Sequence, residues 1–254
     1  MQNQSLKKFS LFVIFALSTS QGYADTSNDK LATECKAKIS KDTYAVETAT
    51  FCVNAEAMIA KENVNSAAHV AILGQLALAS AYNKSLGQNA RRDYYVKMLL
   101  AAEAGFGKTS AETIEPLMNL AAMNMDAGDW KTARAEILEA LVASEKHHGV
   151  LSERTGNVLS SLGGSYAAEK RGSPSTYKLD DAILVQKRLA ENTEARLGLK
   201  DYNTGVQWLD LGALTIKKGD KKEAKRLTEK ALQILIDGKG GGWIEIAKKQ
   251  LTNI

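Results

Sequence analysis

From residue 112 to residue 251 the apolar side chains recur every three or four positions, the spacing that gathers them on one face of a helix. The two prolines, Pro116 and Pro174, leave most of this pattern intact. Pro116 falls in the first turn of its predicted helix, where a missing N–H costs little. The pattern divides into pairs. Leu117, Leu120, Ala121 and Asn124 mark one helix, Gly128 and Asp129 make a turn, and Ala133, Ile137 and Ala140 mark the helix that returns. Asp129 is placed to cap the returning helix by accepting bonds from its orphan backbone N–H groups. Gly219 and Asp220 repeat that turn 91 residues later.

A longer phrase repeats with the pairs: Gly, five residues, Thr, six residues, Leu. It stands at Gly107/Thr113/Leu120, Gly149/Thr155/Leu162 and Gly198/Thr204/Leu211, with starts 42 and then 49 residues apart. Self-similarity at such a period defines a repeat array, in which each helix pair buries its apolar face only by stacking on its neighbours. The seven extra residues of the second interval fall at 170–176, because Leu162 and Ala182 are 20 residues apart where Leu120 and Ala133 are 13 apart. They are expected to form a Ser- and Gly-containing loop around Pro174. Its two readings are a tolerated surface loop and a partner contact.

Large-then-small pairs at Leu120-Ala121, Leu162-Gly163 and Leu211-Gly212, followed by Ala133, Ala182 and Ala224, resemble the tetratricopeptide repeat (TPR). Tyr166, Ala140 and Ala231 fill further positions of that pattern, and Leu78-Ala79, Tyr82 and Ala90 look like an earlier, weaker copy. The small residues let paired helices approach closely enough to interlock. A unit near 42 residues is similar to the longer subclass of kinesin light chains. Two departures stand out: the first copy is one residue short between Leu78 and Ala90, and in the third copy Gln186 and Leu189 replace aromatic or small residues, which predicts looser packing there. The resemblance implies an all-α, right-handed α-solenoid of TPR-type hairpins with about four repeats over residues 63–237.

The two ends change the picture. Lys7 and Lys8 precede an apolar run over residues 9–17, and small and polar residues lead to Ala24. This reads as a signal peptide over residues 1–24, cut after Ala24, and so predicts a periplasmic or secreted protein. No later segment is apolar for long enough to span a membrane. In an oxidising compartment Cys35 and Cys52, the only cysteines, would staple a helical hairpin over residues 25–62, whose helices at 28–39 and 45–60 turn at Lys41-Asp42-Thr43. Closing that loop stabilises by roughly 3 kcal/mol in the chain-entropy model. The alternative is two buried free thiols, which a thiol titration of the denatured, unreduced protein would count. At the other end, residues 238–254 read as a cap. Glycines 238–242 break the last repeat, and in the following helix Trp243 and Ile246 are expected to cover it while Lys248 and Lys249 face water.

Composition and motifs argue mainly by exclusion. Removing the leader lowers the formal charge from +4 to +2, too little to suggest a nucleic-acid partner. Residues 102–109 fit a relaxed P-loop pattern, but a P-loop follows a strand, and here a helix is predicted at 91–104. His147 and His148 sit at a helix end, where the dipole accounts for an imidazole. With His69 they complete no tetrahedral metal set. No Ser or Cys stands in a motif with a base and an orienting group. Neither a cofactor nor a metal is expected.

The expected function is a non-catalytic protein–protein interaction scaffold of the periplasm or cell envelope, holding a peptide or protein on the groove lined by the first helices. Carried over position by position, the resemblance implies groove residues Asn83; Met118, Asn119 and Ala122; Asn157, Ser161 and Gly164; and Leu209, Asp210 and Ala213. Family members that clamp a C-terminal carboxylate use Lys and Arg at several of these positions, and this chain has none there. An extended backbone bonded by Asn side chains, with Met118 and Leu209 in apolar contact, suits the set better. The alternatives are a cell-envelope enzyme with an unrecognised site and a chaperone-like peptide-binding module.

Overall fold

The computed structural model describes residues 27–87, 89–172 and 177–254. The leader therefore lies outside the described residues, and so do residues 173–176, the last four of the predicted insertion. Among the described residues every regular element is helical: α1 (Ser27–Lys41), α2 (Val46–Asn63), α3 (Ala67–Ser80), α4 (Ala90–Phe106), α5 (Ile114–Asp126), α6 (Trp130–His148), α7 (Glu153–Gly172), α8 (Leu179–Leu197), α9 (Tyr202–Lys218), α10 (Lys221–Asp237) and α11 (Gly242–Thr252). Each helix packs on the next along the chain, which makes an α-solenoid of hairpins. Cys35 and Cys52 are both fully buried and joined as a disulfide between α1 and α2. A thiol titration of the denatured, unreduced protein should accordingly find no free thiol.

The repeated phrase acquires a mechanical meaning. Gly107, Gly149 and Gly198 close α4, α6 and α8 with φ of 93°, 86° and 80°, a left-handed conformation in which an L side chain is strained. The three leucines are 2–3% exposed and belong to the inter-helix core. The threonines are fully buried. Thr113 Oγ1 donates to the Ser110 carbonyl at 2.8 Å, and Thr155 Oγ1 donates to the Gly149 carbonyl at 2.8 Å, so each folds its linker onto the start of the next helix. At the third copy this job passes to Asp201, whose side chain accepts from Asn203 N as the cap of α9.

Other side chains tie each hairpin to the previous one. His147 Nε2 donates to the Thr109 carbonyl at 2.8 Å. Asn192 Nδ2 donates to the Val150 and Ser152 carbonyls at 3.0 and 3.1 Å, and Gln250 Nε2 donates to the Leu209 carbonyl at 3.2 Å. Asp129 and Asp220 cap α6 and α10 as expected, accepting from Thr132 N and Glu223 N. In the third repeat Leu189 is buried, and Gln186 Nε2 bonds both the backbone carbonyl and the side-chain Oε1 of Gln207, at 3.0 Å each. A polar cross-link between α8 and α9 stands where the repeat pattern has an aromatic or small residue.

Glycines next to the threonines let helices touch. A Cβ at Gly205 would sit 2.7 Å from Leu235 Cγ and 3.2 Å from its backbone N. Gly205→Ala should therefore destabilise the fourth hairpin by about 1–3 kcal/mol, the usual cost of overpacking, read as a lower midpoint in urea. The same close approach explains Gly105, in the stretch that mimics a P-loop. It lies within α4, and the Asn65 carbonyl of the α2–α3 linker fills the space a side chain would need.

Two expectations are corrected. The insertion is not all loop, because α7 continues through Gly172: Glu169 is held by Arg134, and a Cβ at Gly172 would lie 3.4 Å from the Trp130 ring. The cap is turned the other way. In α11, Ala247 is fully buried and Ile244 packs on the last core, while Trp243 and Ile246 are 39% and 49% exposed. The Gln250 bonds to the Leu209 carbonyl and to Thr228 Oγ1 fix that rotation, and alanine at 247 permits the close contact.

Candidate functional site

The first helices of successive pairs, α5, α7 and α9, carry one stripe at matching repeat positions. Its rows are Glu115, Asn119 and Ala122 on α5; Asn157, Ser161 and Gly164 on α7; and Val206, Asp210 and Ala213 on α9. Spacings of four and three residues keep each row on one helix face. These residues are half-buried or exposed, whereas the core positions between them are closed. Asn119 Nδ2 and Ser161 Oγ donate to carbonyls of their own helices, those of Glu115 and Asn157. Asn157 is exposed.

Three groove assignments are corrected. Met118 and Leu209 are 7% and 2% exposed and belong to the cores between helices, one residue out of register with the open stripe. Asn83 lies beyond the end of α3 and is 4% exposed. Its Nδ2 donates to the Tyr44 and Ala45 carbonyls and its Oδ1 accepts from Ser85, so it pins the α1–α2 turn rather than facing a ligand. On α3 itself the matching positions, Leu73 and Ala77, are fully buried. The polar stripe therefore begins at α5.

Electrostatics single out two stripe carboxylates. Burial pushes the Glu115 carboxyl up to about 7, opposed by the charge of Lys36 on α1. Its Oε2 is enclosed and makes no hydrogen bond among the described residues, and a Cβ at Gly74 would lie 3.7 Å from its Oε1. Asp210 is open to solvent, yet the surrounding wall raises its carboxyl above the ordinary range while Lys217 pulls it down. Lys217 is itself held below the usual lysine value, first by a hydrogen bond with Lys170 and then by burial. One end of the stripe thus gathers Asp210, Lys170 and Lys217. The repeat positions alone missed this cluster, because Lys170 reaches it only through the helical extension of α7.

A shallow depression of about 330 Å³ is lined by α4 residues Asp93, Tyr94 and Lys97 together with Leu86 and others, none of them a stripe residue. Among the described residues no three His, Cys, Asp or Glu side chains cluster to hold a metal ion, and no helix is long and apolar enough to cross a membrane.

No family model and no curated protein matches the sequence. Solved structures do match. Two are crystal structures from Podosopora anserina of a protein assigned as a kinesin light chain with nearly identical TPR-like repeats. One of them, a single-substitution form, has 13% identity and a TM-score of 0.58, over 84% of this chain and 96% of that one. The other has 13% identity and a TM-score of 0.57, over 81% and 93%. BtubC (BKLC) from P. vanneervenii has 15% identity and a TM-score of 0.51, over 90% and 87%. At such identities the likeness is one of fold: this chain is an α-solenoid of TPR-like helix hairpins, as the repeated phrase predicts.

Proposed function

We propose that the chain is an interaction scaffold that holds an extended peptide segment of a protein partner along the stripe from Glu115 to Asp210. The observation that carries this reading is the register match. Asn119, Ser161 and Asp210 occupy one repeat position on three successive helices, each short, polar and accessible. Such a ladder offers hydrogen bonds at regular intervals to a backbone, which also repeats regularly. The Ala122, Gly164 and Ala213 row leaves room beside it for side chains. The lysine pair next to Asp210 adapts one end to a ligand with both an acceptor and a donor.

The leader supports a periplasmic or secreted location. Mass spectrometry of tagged protein from fractionated cells should then find a mature N-terminus at Asp25. For binding, a photoreactive residue at position 157 should crosslink one defined partner in an envelope extract, and a probe at exposed Leu184 on α8 should not. Asp210→Lys should abolish the crosslink without lowering the melting temperature. Equal crosslinking from both probes would defeat the groove assignment.

A further inference from the structure

Consecutive helices of the array run antiparallel, so the linkers between hairpins lie along one edge and the turns within hairpins along the other. Contacts between linkers show that edge to be continuous. His147, at the end of α6, bonds the Thr109 carbonyl of the α4–α5 linker, and Asn192 on α8 bonds the Val150 and Ser152 carbonyls of the α6–α7 linker. Gly238, after α10, abuts the α8–α9 linker: a Cβ there would lie 2.8 Å from Tyr202 N and 3.0 Å from the Lys200 carbonyl oxygen.

This edge carries large apolar side chains in the open. Phe106 is 40% exposed at the α4–α5 linker, and Val150 and Leu151 are 56% and 53% exposed in the next. Leu199 and Tyr202 are 51% and 45% exposed at the third, and Trp243 is 39% exposed after the fourth. Folding makes no such demand, because Lys108 and Lys239 occupy the place after the linker glycine that Val150 and Leu199 fill. On the opposite edge Tyr44 and Tyr82 are exposed in the first two turns, and the turns at 127–129 and 219–220 carry no large apolar side chain.

The charges at the same four linkers point to what covers them. Lys108, Lys200 and Lys239 are exposed and form no ion pair among the described residues. The two carboxylates within these linkers are less available: Asp201 accepts from Asn203 N as the cap of α9, and Glu112 is half-buried. Three of the four linkers therefore set an open apolar side chain beside an unpaired ammonium group. The apolar groups stand one or two to a backbone turn, not along a helix face. A fluid lipid surface closes around such separated tips, whereas a folded partner would have to fit four linkers at once. Trp and Tyr favour the lipid–water boundary, and lysines beside them gain from anionic headgroups.

We propose that this edge docks on an anionic lipid surface, its apolar tips entering the headgroup layer while Lys108, Lys200 and Lys239 meet lipid phosphates. Apolar insertion joined to positive charge is the two-part combination that peripheral anchoring requires. The solenoid then stands on its edge, and the stripe from Glu115 to Asp210, which lies on helix faces, stays open. Neither the groove reading nor the leader is needed for this docking.

Flotation of the chain from residue 25 onward, disulfide intact, with vesicles of phosphatidylethanolamine and phosphatidylglycerol tests it; pure phosphatidylcholine vesicles are the neutral arm. Wild type should float with the anionic vesicles and far less with the neutral ones. Lys108→Glu, Lys200→Glu and Lys239→Glu together should lower the partition coefficient by roughly a factor of ten or more. Leu151→Asp with Leu199→Asp should do the same, and since all five positions are exposed the melting temperatures should match wild type. Lys84→Glu, on the opposite edge, should change nothing. Lipids brominated along their acyl chains should quench the tryptophan fluorescence, and Trp243→Phe should remove most of that quenching. A wild type that floats with neither vesicle leaves the edge to a protein partner and overturns the proposal. So does flotation that the linker variants leave intact or that Lys84→Glu reduces equally, or binding without quenching.

Discussion

Arg134→Ala is expected to cost about 3–5 kcal/mol of stability, the usual result of taking one partner from a buried ion pair. Arg134 on α6 grips Glu169 on α7 through two bonds, Nη1 to Oε2 at 2.8 Å and Nη2 to Oε1 at 3.2 Å. The guanidinium also lies 4.9 Å from the centre of the Tyr166 ring. Glu169 is only 2% exposed, so without its fork the carboxylate stays in a site that water scarcely reaches. At about 2–4 °C per kcal/mol for a chain of this size, the melting temperature measured by far-ultraviolet circular dichroism should fall by roughly 6–20 °C. Arg134→Lys should recover little, since an ammonium cannot supply the two-bond fork. Arg134→Met combined with Glu169→Leu should recover much of the loss, because no charge is then left behind. If the single alanine variant melts within a degree or two of wild type, the pair is hydrated and contributes nothing.

That pair shows where the sequence was readable and where it was not. Periodicity reports which side chains face a neighbouring helix, so the hairpins, their Gly and Asp boundaries and the Leu and Ala core positions were all visible in spacing. The glycine-closed linkers were visible too, because a left-handed residue has few alternatives to glycine. Azimuth was less visible. A one-residue error in register exchanges a groove position for a core position, which is why Met118 and Leu209 prove to be buried and why α11 turns Ile244 inward instead of Ile246. Asn83 illustrates a second limit: an asparagine just past a helix can serve a ligand or satisfy backbone carbonyls elsewhere, and here its partners lie 38 and 39 residues earlier in the chain. Glu169 illustrates a third. A glutamate in a polar helix end reads as solvated until the arginine of another helix is brought beside it.

The second large effect follows from Glu115. Its carboxyl titrates near 7 in the folded chain and at an ordinary value of 4.5 when exposed. Between those values the folded state holds a proton that the unfolded state has released, so stability falls as pH rises through this window and stays low above it. The full difference is about 3 kcal/mol at 1.36 kcal/mol per pH unit. Glu115→Gln keeps the shape of the protonated acid and cannot ionise. The variant should match wild type near pH 4 and exceed it by about 2–3 kcal/mol near pH 8, as measured by urea midpoints at both pH values. The cause is local: Oε2 is enclosed without a hydrogen-bond partner among the described residues, and the relieving charge, Lys36, sits on an exposed part of α1. Lys36→Met should therefore steepen the loss of stability with pH, whereas the same change at Lys38, on a different face of α1 and stacked 4.8 Å from the Phe51 ring, should not alter the slope. Parallel pH profiles for wild type and Glu115→Gln would mean that this end of the stripe is wet and that Glu115 is an ordinary surface carboxylate.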